Sequence, residues 1–154
     1  MPIAKHVGRR LLPLLLLLGT VVEAAAQTGA EDEGTFEILV NDRPVGTEQF
    51  SIRQTGIGAG SQFVATGRVQ VLLPTGNLDL TPRLVASGFQ ADPVSYEVTV
   101  AGDAARRIVG TIGRGRFTAK IVTPNGEQLR EFVASAGATV LDEGVAHHYY
   151  FLAR

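Results

Sequence analysis

The sequence predicts a mainly all-β protein, a curved antiparallel meander sheet or half-barrel whose concave face is covered by a C-terminal helix. Apolar and polar residues alternate with period two between Gly34 and Leu141, which indicates strands that are buried on one face. Short polar turns interrupt the alternation at the spacing of an all-β sheet or barrel. Residues 142–154 are instead apolar on most sides of a helical projection, and such a helix needs to be buried.

The N-terminal segment has the layout of a secretory signal peptide. Basic residues precede an apolar run from Leu11 to Leu18, and small residues end at Ala26, where a signal peptidase would cleave. We therefore expect residues 1–26 to be removed and the mature protein to be periplasmic or secreted. A transmembrane helix is the alternative, but it needs about 20 apolar residues, and Glu23 interrupts the run earlier. No stable membrane insertion is expected after cleavage.

The composition excludes several classes of protein. The chain has no cysteine, so neither disulfides nor a cysteine-linked lipid can contribute. The predicted signal peptide contains three of the 14 basic and one of the 15 acidic residues, which leaves a net charge of about −3 on the mature chain. That balance argues against a nucleic-acid partner and gives no electrostatic attraction to an anionic membrane.

The mature chain begins with a predicted flexible lead and then a β-hairpin. Residues 27–33 are small, polar and acidic, which indicates the lead. From Gly34 to Val40 the apolar residues share one face, and the turn "NDRP" follows. The return strand places Phe50 and Ile52 on one face, and Glu48 shares that face by parity.

Seven further short runs of alternation bring the total to about nine strands in one domain, residues 34–154. Pro82 lacks an N–H group, so we expect its strand to be an edge strand or to carry a bulge there. Gly67 and Gly110 lie inside strands and predict sharp bends or bulges. The later runs are "SQFVATGRVQVLL", "LDLTPRLVASG", "VSYEVTV", "RRIVGTIG", "RFTAKIVT", "EQLREFV" and "ATVLD".

The final helix is predicted to begin at Asp142, which is a favourable N-cap residue. Val145, His148, Tyr149 and Leu152 follow at i, i+3, i+4 and i+7, which places them on one face. We therefore interpret this segment as a lid or plug over the sheet. A tenth strand is the alternative, because aromatic residues also favour strands.

The sequence contains no recognised catalytic motif, and we expect a protein that is not an enzyme. A metal site would use Glu143 and His147, but only two histidines remain after cleavage and metal sites need three or four ligands. No metal and no cofactor are therefore expected. The loop "GIGAGS" lacks the ending of a phosphate-binding loop and predicts a flexible hairpin loop. Glu48 and Glu131 could serve as an acid–base pair, but a water-facing position or an arginine partner is the preferred interpretation.

Two stretches, "GTFEILVNDRPVGTEQFSI" and "LDEGVAHHYYFLAR", resemble a group of uncharacterised exported bacterial proteins that is similar to the open-barrel lipoprotein carriers of the periplasm. The resemblance implies a curved antiparallel sheet with helical cover, and it brings no catalytic residue with it. Members of the group continue beyond the aromatic helix, so the resemblance also implies that the domain is truncated at its C-terminus. The matching positions are Gly34, Phe36, Val45, Gly46, Glu48, His147, His148 and Tyr149.

These observations lead to an expected function. We expect a non-enzymatic periplasmic protein whose half-barrel binds an apolar small molecule, a lipid or the hydrophobic segment of a partner. The alternative is a structural or interaction module of cell-envelope assembly that binds an envelope protein, and an enzyme of unknown reaction is the third hypothesis. The predicted ligand-binding residues are Glu48, Phe50, Tyr96, His148 and Tyr149.

Overall fold

A computed structural model describes residues 29–74, 76–102 and 104–153 of the chain. These residues form one antiparallel meander sheet of eight strands, in which every strand pairs with its neighbours in the sequence and the sheet does not close into a barrel. The predicted fold class is thereby confirmed, whereas the predicted signal peptide, residues 1–26, lies outside the described residues. The strands are β1 (Gly29–Val40), β2 (Arg43–Thr55), β3 (Gln62–Leu73), β4 (Gly76–Ser87), β5 (Asp92–Ala101), β6 (Arg106–Gly113), β7 (Arg116–Thr123) and β8 (Gly126–Val133).

One face of the sheet carries the hydrophobic core. Successive side chains of a strand point to opposite faces, and the buried residues of β2 to β5 recur at alternate positions. Glu48 and Ile52 lie on this concave face, as parity predicts, and both are buried. The core residues are Ile52, Phe63, Ala65, Val69, Val71, Leu80, Leu84, Ala86, Ala91, Tyr96, Val98, Val100, Val145 and Phe151.

The C-terminal segment covers only part of the concave face. Residues 134–145 contain no helix or strand, so the predicted strand "ATVLD" is not formed. The sheet has eight strands, whereas the sequence predicted about nine. A short 3₁₀ helix, Ala146–Leu152, then packs beside β3. We call residues 134–153 the C-terminal strap. Among the described residues, no helix has the length and apolarity needed to cross a membrane.

The predicted start of the final helix at Asp142 is wrong. The helix begins at Ala146, its N-cap residue is Val145, and that residue makes no side-chain capping bond. Its geometry is 3₁₀, with about three residues per turn rather than 3.6, so the predicted apolar face is not preserved. Tyr149 is largely exposed, whereas His147 is buried.

Three further features differ from the sequence-based expectation. Strand β1 begins at Gly29, inside the segment interpreted as a flexible lead. Pro82 lies on β4, which is an interior strand and not an edge strand. Its register to β3 is the same on both sides of Pro82, and the irregularity of β4 lies between Val85 and Ala86 instead. Pro82 pairs with Val98 of β5, whereas the pairing with β3 is interrupted at Thr81 and Pro82, where proline has no N–H to donate.

Gly67 and Gly110 do not mark bulges, because the register does not shift at either position, although β3 and β4 do not pair at Gly67 and Arg68. They make room for rings. A Cβ on Gly67 would stand 2.7 Å from His147 Cε1, and a Cβ on Gly110 would stand 2.2 Å from Phe117 Cε2. Real Cβ atoms do not approach that closely, so each glycine is required by the aromatic ring that lies over it.

Candidate functional site

A buried carboxylate on β2 holds the C-terminal strap against the sheet. Glu48 accepts the backbone N–H of Ala146 at 2.7 Å and that of His147 at 3.1 Å, and its Oε1 lies 2.5 Å from His147 Nδ1. These two amides belong to the first turn of the 3₁₀ helix, where N–H groups lack partners within the helix. Glu48 therefore caps this helix from another part of the chain, and we call this contact the Glu48 anchor.

A row of rings extends from the anchor across the concave face. Phe50 stacks on His147 with centroids 5.8 Å apart, and His148 meets His147 edge-on at 4.8 Å. Tyr96 of β5 packs edge-on against His148 at 5.3 Å, and its hydroxyl donates a hydrogen bond to Asp142 of the strap. The strap is thus bound to the sheet by polar contacts at two places, one on β2 and one on β5.

Burial disfavours the charged form of both histidines. Burial lowers the pKa of His147, although the neighbouring Glu48 carboxylate opposes that shift. Burial also lowers the pKa of His148, together with the repulsion of His147, to about 3. His148 is 0% exposed, and in the described residues neither of its ring nitrogens has a hydrogen-bond partner. Burial and the bond to Asp142 raise the pKa of the Tyr96 hydroxyl.

The chemistry of this cluster favours a structural role. A carboxylate beside a histidine can act as an acid–base pair, but both Glu48 oxygens already accept N–H groups of the strap. Glu48 and His147 side chains are 1% and 0% exposed, so a substrate has no access to them in this conformation. In the part of the chain that the structure describes, no three His, Cys, Asp or Glu residues form a metal-binding group.

The structure brings together four of the five residues that the sequence suggested as a ligand-binding set. Glu48, Phe50, Tyr96 and His148 belong to the anchor or to the row of rings. Tyr149 points away and is 62% exposed. Glu131, the other candidate acid, lies on the convex face beside Arg116, whose guanidinium is 3.3 Å from its carboxylate. The arginine partner that we preferred is therefore present for Glu131. For Glu48 the preferred interpretation is wrong, because this carboxylate is buried and its partners are the strap amides and His147 rather than water or an arginine.

An apolar groove lies beside this cluster, between the strap and the last four strands. Two adjoining cavities of about 320 and 210 Å³ form it. Both are lined by Phe117 and Phe132 from the sheet and by Val140 and Leu141 from the strap. The remaining lining residues are mostly apolar: Pro93, Tyr96, Ile108, Ile112, Ala119, Ile121, Arg130, Val133, Ala134, Ala138, Thr139 and Asp142.

The groove is open to water at the edge of the sheet. Phe132 and Leu141 are 50% and 48% exposed, although both are large apolar residues. Strand β8 is an edge strand, and all eight of its residues are exposed. In β8 the alternation predicted that Glu131 faces inward together with Leu129 and Val133, and this is wrong. Leu129 and Val133 are largely exposed, and Arg130 and Phe132 line the groove instead.

Comparisons with known proteins identified no relative of this chain. A scan against protein-family models, a search of curated proteins and a search of solved structures each found no match to this chain. Any function must therefore be argued from the geometry described above.

Proposed function

We propose that this is a non-enzymatic binding protein that holds an apolar small molecule, such as the acyl chain of a lipid, in the apolar groove. The observation that carries the proposal is the exposure of Phe132 and Leu141 on facing walls of one groove. Large apolar side chains that line a concave surface favour an apolar occupant, because each methylene that leaves water contributes about 0.8 kcal/mol. The signal-like N-terminus supports a site of action in the periplasm or outside the cell.

The concave face has a part that the strap covers and a part that stays open, and this division supports binding of an apolar molecule in the open part. The Glu48 anchor holds the strap over β2 to β5, where the core is fully buried. Toward β8 the strap forms only one wall of the groove, and the sheet forms the other. Arg130 lines the same groove, and its guanidinium makes a hydrogen bond of 3.4 Å to Gln128. A chain in the groove would therefore have a positive group available for its polar end.

The proposal is tested by ligand binding to a pair of matched variants. Phe132→Ser removes an aromatic wall of the groove, and Leu129→Ser makes a comparable change on the opposite face of the same strand. The probe is N-phenylnaphthylamine, an uncharged dye that fluoresces when it leaves water. We expect Phe132→Ser to weaken binding of the dye about tenfold, since loss of the ring contact corresponds to roughly 1.4 kcal/mol. Leu129→Ser should bind like the unaltered protein.

Two outcomes would contradict the proposal. The first is absence of dye binding by the unaltered protein, and the second is an equal loss in both variants. Native mass spectrometry of protein isolated without detergent provides a second reading, with an added mass of lipid size as the expected result.

The fully exposed edge of β8 favours a second candidate function, binding of another protein by addition of a strand. Such a partner would form backbone hydrogen bonds with β8 and would not need the groove. Native mass spectrometry separates the two candidates, because a strand-donating partner would add the mass of a polypeptide. Amide hydrogen exchange would then slow along Gly126–Val133, whereas an apolar ligand in the groove would leave the outward amides of that strand unprotected.

A further inference from the structure

Two large apolar side chains project from loops at one end of the sheet. Ile57 is 89% exposed and Phe89 is 82% exposed. Ile57 lies in the loop between β2 and β3, residues 56–61, and Phe89 lies in the loop between β4 and β5, residues 88–91. In an antiparallel meander, alternate connections lie at the same end of the sheet, so the two loops are neighbours.

The two loops form one continuous apolar surface. The N–H of Gly88 donates a hydrogen bond of 2.9 Å to the carbonyl of Ser61, which ties the loops together. Ile57 and Phe89 line one shared concavity of about 370 Å³, with Phe63 of the core at its base. The predicted flexible hairpin loop "GIGAGS" is therefore tied to its neighbour, and it carries half of an exposed apolar pair.

The charge and the size of this surface indicate what covers it. Residues 56–61 and 88–91 contain no charged side chain, so neither an acidic nor a basic partner is selected. A pair of large side chains buries roughly 300–400 Å² at most, which is well below the ~1,000 Å² of a stable protein interface. A lipid bilayer needs no matching surface of that size, because projecting apolar side chains enter the boundary between headgroups and acyl chains.

We propose that Ile57 and Phe89 form a membrane-surface contact that enters the outer part of an uncharged lipid bilayer without spanning it. This inference goes beyond the proposed function, because it does not depend on whether the apolar groove binds a ligand. The two features nevertheless lie at the same end of the sheet. Pro93, Ile112 and Val133, which line the larger cavity of the groove, all lie near strand ends on the side of these loops. The contact therefore places the groove beside the bilayer.

The absence of tryptophan from the chain allows a direct test. Phe89→Trp introduces a single indole reporter at the proposed contact, and Leu72→Trp introduces one at the opposite end of the sheet, where Leu72 is 69% exposed. Each protein is mixed with phosphatidylcholine vesicles. We expect the emission of Phe89→Trp to shift to the blue and to be quenched by brominated acyl chains, and the emission of Leu72→Trp to remain unchanged.

Sedimentation with the same vesicles measures the contribution of each side chain. We expect Ile57→Ser and Phe89→Ser each to weaken partitioning about tenfold, from the loss of one buried large apolar side chain. Leu72→Ser should have no effect, and adding phosphatidylserine should not strengthen binding. All three positions are exposed, so these variants should fold like the unaltered protein.

The inference is overturned if vesicles leave the Phe89→Trp emission unchanged, or if they shift both reporters equally. It is also overturned if sedimentation requires anionic lipid and is insensitive to Ile57→Ser, since binding would then be electrostatic. Ligand binding in the groove is measured separately, by dye binding to the unaltered protein and to Phe132→Ser. Failure of the membrane contact and failure of the ligand site therefore give different results.

Discussion

Removal of the Glu48 carboxylate tests the anchor that holds the strap against the sheet. In Glu48→Ala, the amides of Ala146 and His147 and the ring nitrogen of His147 lose the partner that now lies within 3.1 Å of each. A buried donor left without an acceptor costs about 1–3 kcal/mol. Because the strap can partly open and expose these groups to water, we expect a total loss of about 3–5 kcal/mol, as for a broken buried pair.

The loss is measured as the change in the free energy of unfolding in urea, followed by far-ultraviolet circular dichroism. Glu131→Ala is the matched control, since its carboxylate pairs with Arg116 while both side chains are more than half exposed, and such pairs contribute less than about 1 kcal/mol. Glu48→Gln should lie between the two, because its amide oxygen still accepts an N–H group. If Glu48→Ala destabilises the protein no more than Glu131→Ala does, Glu48 does not anchor the strap.

Two further substitutions test the packing of the histidines. The pKa of His148 is lowered from 6.5 to about 3, so on acidification the unfolded chain takes up a proton at a higher pH than the folded chain does. Between these two pKa values the free energy of unfolding should therefore fall by about 1.4 kcal/mol for each pH unit of acidification. His148→Phe, which has no ring nitrogen to protonate, should lose less stability over that window in urea titrations at a series of pH values, and an unchanged slope would contradict burial of a neutral His148. Gly67→Ala places a Cβ 2.7 Å from His147 and should cost about 1–3 kcal/mol of unfolding free energy. Gly113→Ala, on a strand where the added Cβ meets nothing within 4 Å, should be nearly neutral, and equal losses in these two variants would count against the close approach of the His147 ring.

Local alternation was sufficient to predict the sheet. Short connections separate the strands, so period two predicts the meander and the buried face of β2 to β5. In β8 it predicted the wrong face, since Leu129 and Val133 are exposed there. The same parity places Glu48 on the apolar face, which is where the structure has it. Burial of a carboxylate there requires hydrogen-bonding partners, but parity does not say which groups supply them.

The partners of Glu48 could not be predicted, because they lie 98 and 99 residues further along the chain. Asp142 was the obvious local cap for the final helix, yet its carboxylate accepts the Tyr96 hydroxyl instead. Tertiary contacts therefore decided both where the helix begins and which residues it buries. Gly67 carried a usable signal: a glycine inside an apolar strand also fits a site where another group approaches closely.

The apolar groove depends on where the strap ends its contact with the sheet, which no local pattern encodes. Residues 138–142 read as a strand by propensity, but the structure leaves them without regular pairing along one wall of the groove. The exposure of Phe132 is thus a property of the assembled fold. The sequence could predict an apolar concave face, but not its division into a covered and an open part.

The most direct test of a ligand-binding groove beside an anchored strap is a methyl nuclear magnetic resonance titration of the protein with a long-chain alcohol. We expect shifts of the methyl signals of Ile108, Ile112 and Leu141, which line the groove. The signals of Ile52 and Val69, which lie in the covered core, should stay in place. Shifts confined to Ile52 and Val69, or no shift at any of these methyl groups, would contradict ligand binding in the groove.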